Sequence, residues 1–159
     1  MKITSRMLCV VTLFIIATFE AVQAHYPHDD HRFVTLSPSF STDYTVFNAQ
    51  KEAASVRPQI PLVSRDKGVS WEPSPVGMDN ISKFTSATAS PLYTADKTVL
   101  MTTQKEGVYR SIDGGENWDN VSRFPRSVNE NSYVAQVHAS TFNASEAFAV
   151  INDYRRGDW

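Results

Sequence analysis

From Phe33 onward the apolar side chains come in short runs in which apolar and polar positions alternate. Alternation with a period of two is the pattern of a strand buried on one face. No stretch after residue 24 sustains the 3.6-residue period of an amphipathic helix. The runs predict strands over about 32–37, 44–49, 59–64 and 70–73, then 83–89, 97–103, 107–111 and 117–122, and finally 133–139 and 147–153. Gly, Pro, Asn and Asp punctuate the gaps between runs rich in Ser, Thr, Val, Tyr and Phe, a composition that favours strands. The expected fold class is all-β.

The runs also repeat. Leu36-Ser37-Pro38-Ser39-Phe40-Ser41-Thr42-Asp43-Tyr44-Thr45-Val46-Phe47 matches Ala89-Ser90-Pro91-Leu92-Tyr93-Thr94-Ala95-Asp96-Lys97-Thr98-Val99-Leu100 at an offset of 53 residues, from Ser37 to Ser90. Each copy reads strand, Ser-Pro turn, aromatic, Asp turn, Thr-Val-apolar strand. A third copy opens with Val137-His138-Ala139-Ser140, turns at Asn143 to Glu146 and continues as Ala147 to Ile151; Ser140 lies 50 residues after Ser90. Repeats of this length fit four-stranded propeller blades.

A second motif recurs at an offset of 47 residues, from Ser64 to Ser111. Ser64-Arg65-Asp66-Lys67-Gly68-Val69-Ser70-Trp71 and Ser111-Ile112-Asp113-Gly114-Gly115-Glu116-Asn117-Trp118 both read Ser-x-Asp-x-Gly-x-x-Trp. The short Asp side chain can accept from amides two or more residues on and close a turn, braced by the Ser hydroxyl. The Gly takes a positive φ without steric cost. The Trp opens the next strand with a large surface to bury and an indole N–H that needs a partner. Trp71 and Trp118 are therefore expected to be buried in equivalent places. The six-residue difference between the two offsets puts a longer loop in the first repeat, at Gln50 to Pro58.

This octet resembles the Asp-box, or BNR repeat, of sialidases, some other glycoside hydrolases, sortilin-type receptor domains and the photosystem II assembly-factor family. The resemblance implies an all-β fold of four-stranded antiparallel propeller blades, with the octet linking the third and fourth strands and serving as scaffold. On that basis blade one covers 33–78, blade two 79–128 and a partial blade three 129–159, about two and a half blades. A third octet would fall near position 158, where the sequence reaches Trp159. Closure takes at least about four blades, so the chain reads as an N-terminal fragment of a longer protein that would be monomeric. Phe148 and Val150, or Ala149 and Ile151 on the alternate face, would then lie beside an unpaired edge.

The start of the chain changes the picture of where it works. Lys2 and Arg6 precede a nearly unbroken apolar run from Met7 to Phe19, and Val22-Gln23-Ala24 supplies small residues for cleavage. This is the pattern of a signal peptide over 1–24, too short for an ordinary membrane span. It predicts a secreted or periplasmic protein with a flexible polar leader at 25–32. The single cysteine, Cys9, leaves with the peptide, so stability rests on packing rather than disulfides. Loss of Lys2, Arg6 and Glu20 takes the 15 basic and 17 acidic residues to 13 and 16, a net charge of −3. That balance gives no footprint for nucleic acid or an anionic membrane.

Candidate chemistry is sparse. His25, His28 and His31 with Asp29 and Asp30 have metal-ligand types, but they sit in a polar leader without supporting residues, so no metal or cofactor is expected. Arg155 and Arg156 could form a fork for a carboxylate or anionic sugar; an exposed connecting loop is the plainer reading. The Phe/Tyr-Arg-Ile-Pro motif of sialidases is missing, and Ser122-Arg123-Phe124-Pro125 is the nearest approach. Asp43, Asp79, Asp96, Glu106 and Asp153 are free carboxylates by sequence, but no spacing selects a glycosidase pair. Ser64 and Ser111 are turn braces, without a Gly-x-Ser-x-Gly elbow. His138 falls on a predicted inner strand and is expected in the core. Asn80, Asn120 and Asn143 head glycosylation sequons. Two functions remain: an exported, non-catalytic scaffold that binds a protein or glycan, which these residues favour, or part of an extracellular glycoside hydrolase.

Overall fold

A computed structural model describes residues 30–51, 59–126, 128, 132–143 and 145–152. The expected signal peptide, His25, His28, the loop from residue 52 to 58, Arg155 and Arg156 lie outside the described residues. The chain is built from antiparallel sheets in chain order. β1 (Asp30–Leu36), β2 (Val46–Lys51), β3 (Ile60–Ser64) and β4 (Glu72–Pro73) form the first four-stranded sheet. β5 (Phe84–Ala89), β6 (Val99–Thr103), β7 (Val108–Ser111) and β8 (Asp119–Asn120) repeat that order in a second. β9 (Tyr133–Ala139) and β10 (Ala147–Asn152) make a two-stranded third. None of the sheets closes on itself. Among the described residues no helix is long and apolar enough to cross a membrane.

The repeated Ser-Pro…Asp segment closes the first hairpin of each four-stranded sheet by one device. The Ser37 amide donates to the Thr45 carbonyl at 3.0 Å, and Ser90 to Thr98 at 2.9 Å. Inside the loop the buried Ser37 hydroxyl donates to Asp43 at 2.5 Å while the Thr45 amide donates to the same carboxylate at 2.9 Å. Ser90, Asp96 and Thr98 copy this at 2.6 and 2.9 Å. The third copy substitutes an amide: Ser140 pairs with the Glu146 carbonyl, and the Asn143 side chain accepts from the Ser145 amide at 3.0 Å. Two single helical turns, α1 (Phe40–Asp43) and α2 (Tyr93–Asp96), fill the longer loops and end on left-handed Tyr44 and Lys97. Four residues are too few to show a helical period, so these turns left no trace in the alternation.

Each first strand carries a bulge, at His31/Val34, Phe84/Ser86 and opposite Val150/Ile151. A bulge inserts an extra residue and resets which face later side chains take. In β9 it puts Val134 and Val137 on the buried face three positions apart and turns His138 outward. His138, expected in the core, is exposed.

The main core lies between the first two sheets, around Phe47, Val63, Phe84, Met101, Tyr93 and Trp118. The first strands stand side by side, β1 against β5 and β5 against β9. Threonine hydroxyls link them: Thr35 donates to the Ala87 carbonyl at 3.1 Å and Thr85 to the Val134 carbonyl at 2.6 Å. Among the described residues no further sheet covers either end of this stack. Val34 and Leu36 are 65% and 52% exposed on β1, and Phe148 and Val150 are 64% and 50% exposed on β10.

Candidate functional site: two glycine turns and the seats between sheets

β3 and β7 each end in a serine whose hydroxyl is the hub of the following turn. Ser64 Oγ donates to Asp66 Oδ1 at 2.8 Å and accepts from the Gly68 amide at 2.8 Å. Ser111 Oγ donates to Asp113 Oδ1 at 2.7 Å and accepts from the Gly115 amide at 2.8 Å. The carboxylates then gather the amides beyond. Asp66 accepts from the Ser70 amide at 2.9 Å and its hydroxyl at 2.5 Å. Asp113 accepts from the Glu116 and Asn117 amides at 2.9 and 3.0 Å, and from the Asn117 side chain at 2.8 Å. Gly68 and Gly115 take φ of 88° and 96°, a region costly to any residue with a Cβ.

These bonds favour the ionised acids. The Ser70 hydroxyl and amide, with Ser64, hold Asp66 down at about 2. For Asp113 burial pushes upward, but the donors from Asn117, Ser111 and Glu116 prevail and bring it to about 2. Both groups are acceptors only at neutral pH, so neither can supply a proton as a general acid.

The two turns differ in what they rest on. The second sits on the first sheet: the Gly114 carbonyl accepts from Arg65 Nη2 at 3.4 Å, and the Trp118 amide donates to the Val76 carbonyl at 2.9 Å. The Trp118 indole N–H donates to the Ser74 carbonyl at 2.9 Å, and the ring is 3% exposed. A Cβ on Gly115 would stand 3.0 Å from Val63 Cγ2 and 3.5 Å from Phe47 Cε1. The first turn has no sheet before it among the described residues. Trp71 is accordingly only half-buried, which corrects the expectation of two equivalent buried rings. Arg65 also pairs with Glu72 at 3.2 Å, but both side chains are largely exposed and the pair adds little stability.

The remaining candidates scatter. Asp43 and Asp96 are held inside their hairpin loops, and Glu106 accepts from Ser82 through its amide and hydroxyl at 3.3 and 3.1 Å. Asp79 is exposed in the connection to β5. His31, expected in the flexible leader, lies on β1, and His25 and His28 lie outside the described residues. Among the described residues no three His, Cys, Asp or Glu side chains come together as metal ligands.

Among the described residues, open clefts lie between or beside the sheets, three of them as follows. One of about 200 Å³ separates the two turns, between Arg65, Glu72, Ser74 and Glu116. A wider one, about 680 Å³, runs beside β8 under Arg123, Phe124 and Arg126. The third, about 350 Å³, lies between the second sheet and β10 and is lined by Leu100, Arg110, Ile112 and Val121. The first and third of these draw on residues far apart in sequence, whereas the one beside β8 is lined mostly by the local stretch 120–128. No protein-family model matches the chain, and no curated protein matches it significantly.

Proposed function

We infer that the chain is part of an exported, non-catalytic β-propeller scaffold of Asp-box repeats, which binds a protein or glycan partner at its loop ends. The observation that supports this reading is the side-by-side order of equivalent sheets. First strand stands beside first strand, and the second octet lies against the sheet before it. Successive blades around an axis require that arrangement. The octet acids are spent on closing turns, so any catalytic carboxylate would have to lie elsewhere. The cleft beside β8 is the surface best suited to a ligand. Arg123 and Arg126 would meet a carboxylate or sulfate, and half-buried Phe124 would stack on an apolar sugar face.

The test is a glycan array probed with the secreted protein, run beside hydrolysis assays on fluorogenic glycosides. Binding to acidic glycans that Arg123→Ala and Arg126→Ala reduce, without turnover, supports the reading. Turnover that survives purification and is lost when a single carboxylate is replaced would establish a glycoside hydrolase instead.

A further inference from the structure

Asp113-Gly114 is the one Asp-Gly bond in the chain. An aspartate followed by glycine is prone to rearrange, because no Cβ shields the glycine nitrogen from the carboxyl carbon before it. The Gly114 nitrogen bonds Asp113 Cγ, and the amide proton leaves with a carboxyl OH as water. The product is a cyclic succinimide. Water then opens the ring. Where it breaks the bond from the nitrogen to the main-chain carbonyl carbon of Asp113, the chain continues through the side-chain carbonyl as isoaspartate. Atoms balance with water alone, and nothing is oxidised or reduced.

Packing dictates that glycine. Gly114 takes φ 79°, and a Cβ there would stand 3.0 Å from the hydroxyl of buried Tyr93. The counterpart of Tyr93 in the first hairpin loop is Phe40, which has no hydroxyl, and the first octet carries Lys67 in the place of Gly114. The same packing shields the bond it creates. Gly114 is buried, and its N–H donates to the Lys97 carbonyl at 3.0 Å, so the proton that must leave is held. The Asp113 carboxylate accepts from the Ser111 hydroxyl, the Glu116 and Asn117 amides and the Asn117 side chain. Those four bonds fix the group that must rotate to meet the nitrogen. Arg65, from the first octet, holds the Gly114 carbonyl at 3.4 Å. Ring closure therefore waits until the turn leaves its seat.

We propose that Asp113 is a modification site gated by this seat: isoaspartate forms there when the turn lifts away from Tyr93 and the first sheet. The change runs one way. An isoaspartyl link adds a methylene to the main chain and leaves the carboxylate on the α-carbon. From there it cannot meet Ser111 and the Glu116 and Asn117 amides together, so the turn does not reseat. An opening of the second octet is thus recorded permanently in the chain. The first octet, with Asp66-Lys67, keeps no such record, because the lysine side chain hinders the attacking nitrogen. The site belongs to the chain's own turn and stands whichever partner the scaffold binds.

The experiment incubates the full exported chain at neutral pH for weeks, folded or in urea beyond its unfolding midpoint. Electron-transfer fragmentation of proteolytic peptides then locates isoaspartate. Formation at Asp113 should be about tenfold or more faster in urea than in the folded chain, because the rate follows the open population. Gly115→Ala crowds Val63 and loosens the seat without altering either reacting residue, and should raise the folded-chain rate by about tenfold. Gly68→Ala strains the first turn alone and should leave that rate unchanged. Should Gly115→Ala fail to fold, Asn117→Ala removes one carboxylate donor from an exposed position and should raise the rate about threefold. No isoaspartate at Asp113 in urea, or equal rates in the folded and unfolded chain, overturns the proposal. So does a folded-chain rate that neither Gly115→Ala nor Asn117→Ala raises, or that Gly68→Ala raises as much.

Discussion

Replacing glycine by alanine in the two octets separates the strain of the turn from the contact between sheets. Gly68→Ala adds a Cβ at φ 88° that meets only Trp71 Cζ2 at 3.5 Å, an ordinary contact. The left-handed conformation costs roughly 1–2 kcal/mol, partly offset by about 0.4–1 kcal/mol from a less flexible unfolded chain. A net loss of about 1 kcal/mol is expected there. Gly115→Ala carries the same strain at φ 96° and drives its Cβ to 3.0 Å from Val63, with Phe47 and Ser74 at 3.5 Å. Phe47 and Val63 are 0% and 1% exposed, so they have little room to give. Overpacking of a tight core adds about 1–3 kcal/mol, for an expected total of about 2–4 kcal/mol. Urea unfolding of both variants, with midpoints compared at unchanged slope, reads the difference. Equal losses, or a larger loss for Gly68→Ala, would refute the seating of the second turn on the first sheet.

The tryptophans should part in the same direction. Trp118→Ala removes a buried ring and leaves the Ser74 carbonyl without its indole donor, for about 3–5 kcal/mol, whereas half-buried Trp71→Ala should cost about half as much by the same urea assay. The octet acids predict an acid-dependent stability. Asp66 and Asp113 lie at about 2 against an ordinary 3.8, so their contribution is complete above pH 3.8 and is lost as pH falls through about 2. Asp113→Asn should flatten the fall in melting temperature between those values, and an unchanged acid slope would count against the turn bonds as its source.

Much of this architecture was legible because the repeat writes it more than once. The alternating runs located every strand, and the paired Ser and Asp positions predicted the hairpin loops that Ser37–Asp43 and Ser90–Asp96 build. The fourth strands were overextended: they cover only Glu72–Pro73 and Asp119–Asn120, and each is followed by a single further backbone bond, from Ser74 to Pro61 and from Val121 to Val108. The bulge in β9 was not legible, because an extra residue does not alter composition, only the face on which His138 emerges. Nor could two octets of the same pattern reveal that Trp118 is enclosed and Trp71 is not. That difference comes from the neighbouring sheet and lies outside the octet. Two of the clefts draw on several strands at once, so no local window contained them, whereas most of the lining of the cleft beside β8 sits in one window, 120–128, whose Ser122 to Pro125 the sequence had already singled out.

The order of the sheets along the chain has a kinetic consequence. Every strand pairs with its immediate chain neighbour, and the ties between sheets, such as Trp118 to Ser74 or Thr85 to Val134, reach back 44 and forward 49 residues. Pairing between chain neighbours lets the strands of each sheet close on one another before the longer ties form. A chain that emerges N-terminus first therefore forms its sheets one after another. Each sheet would wait only for the next octet to cap it, and a pause would leave one apolar seat uncovered at a time.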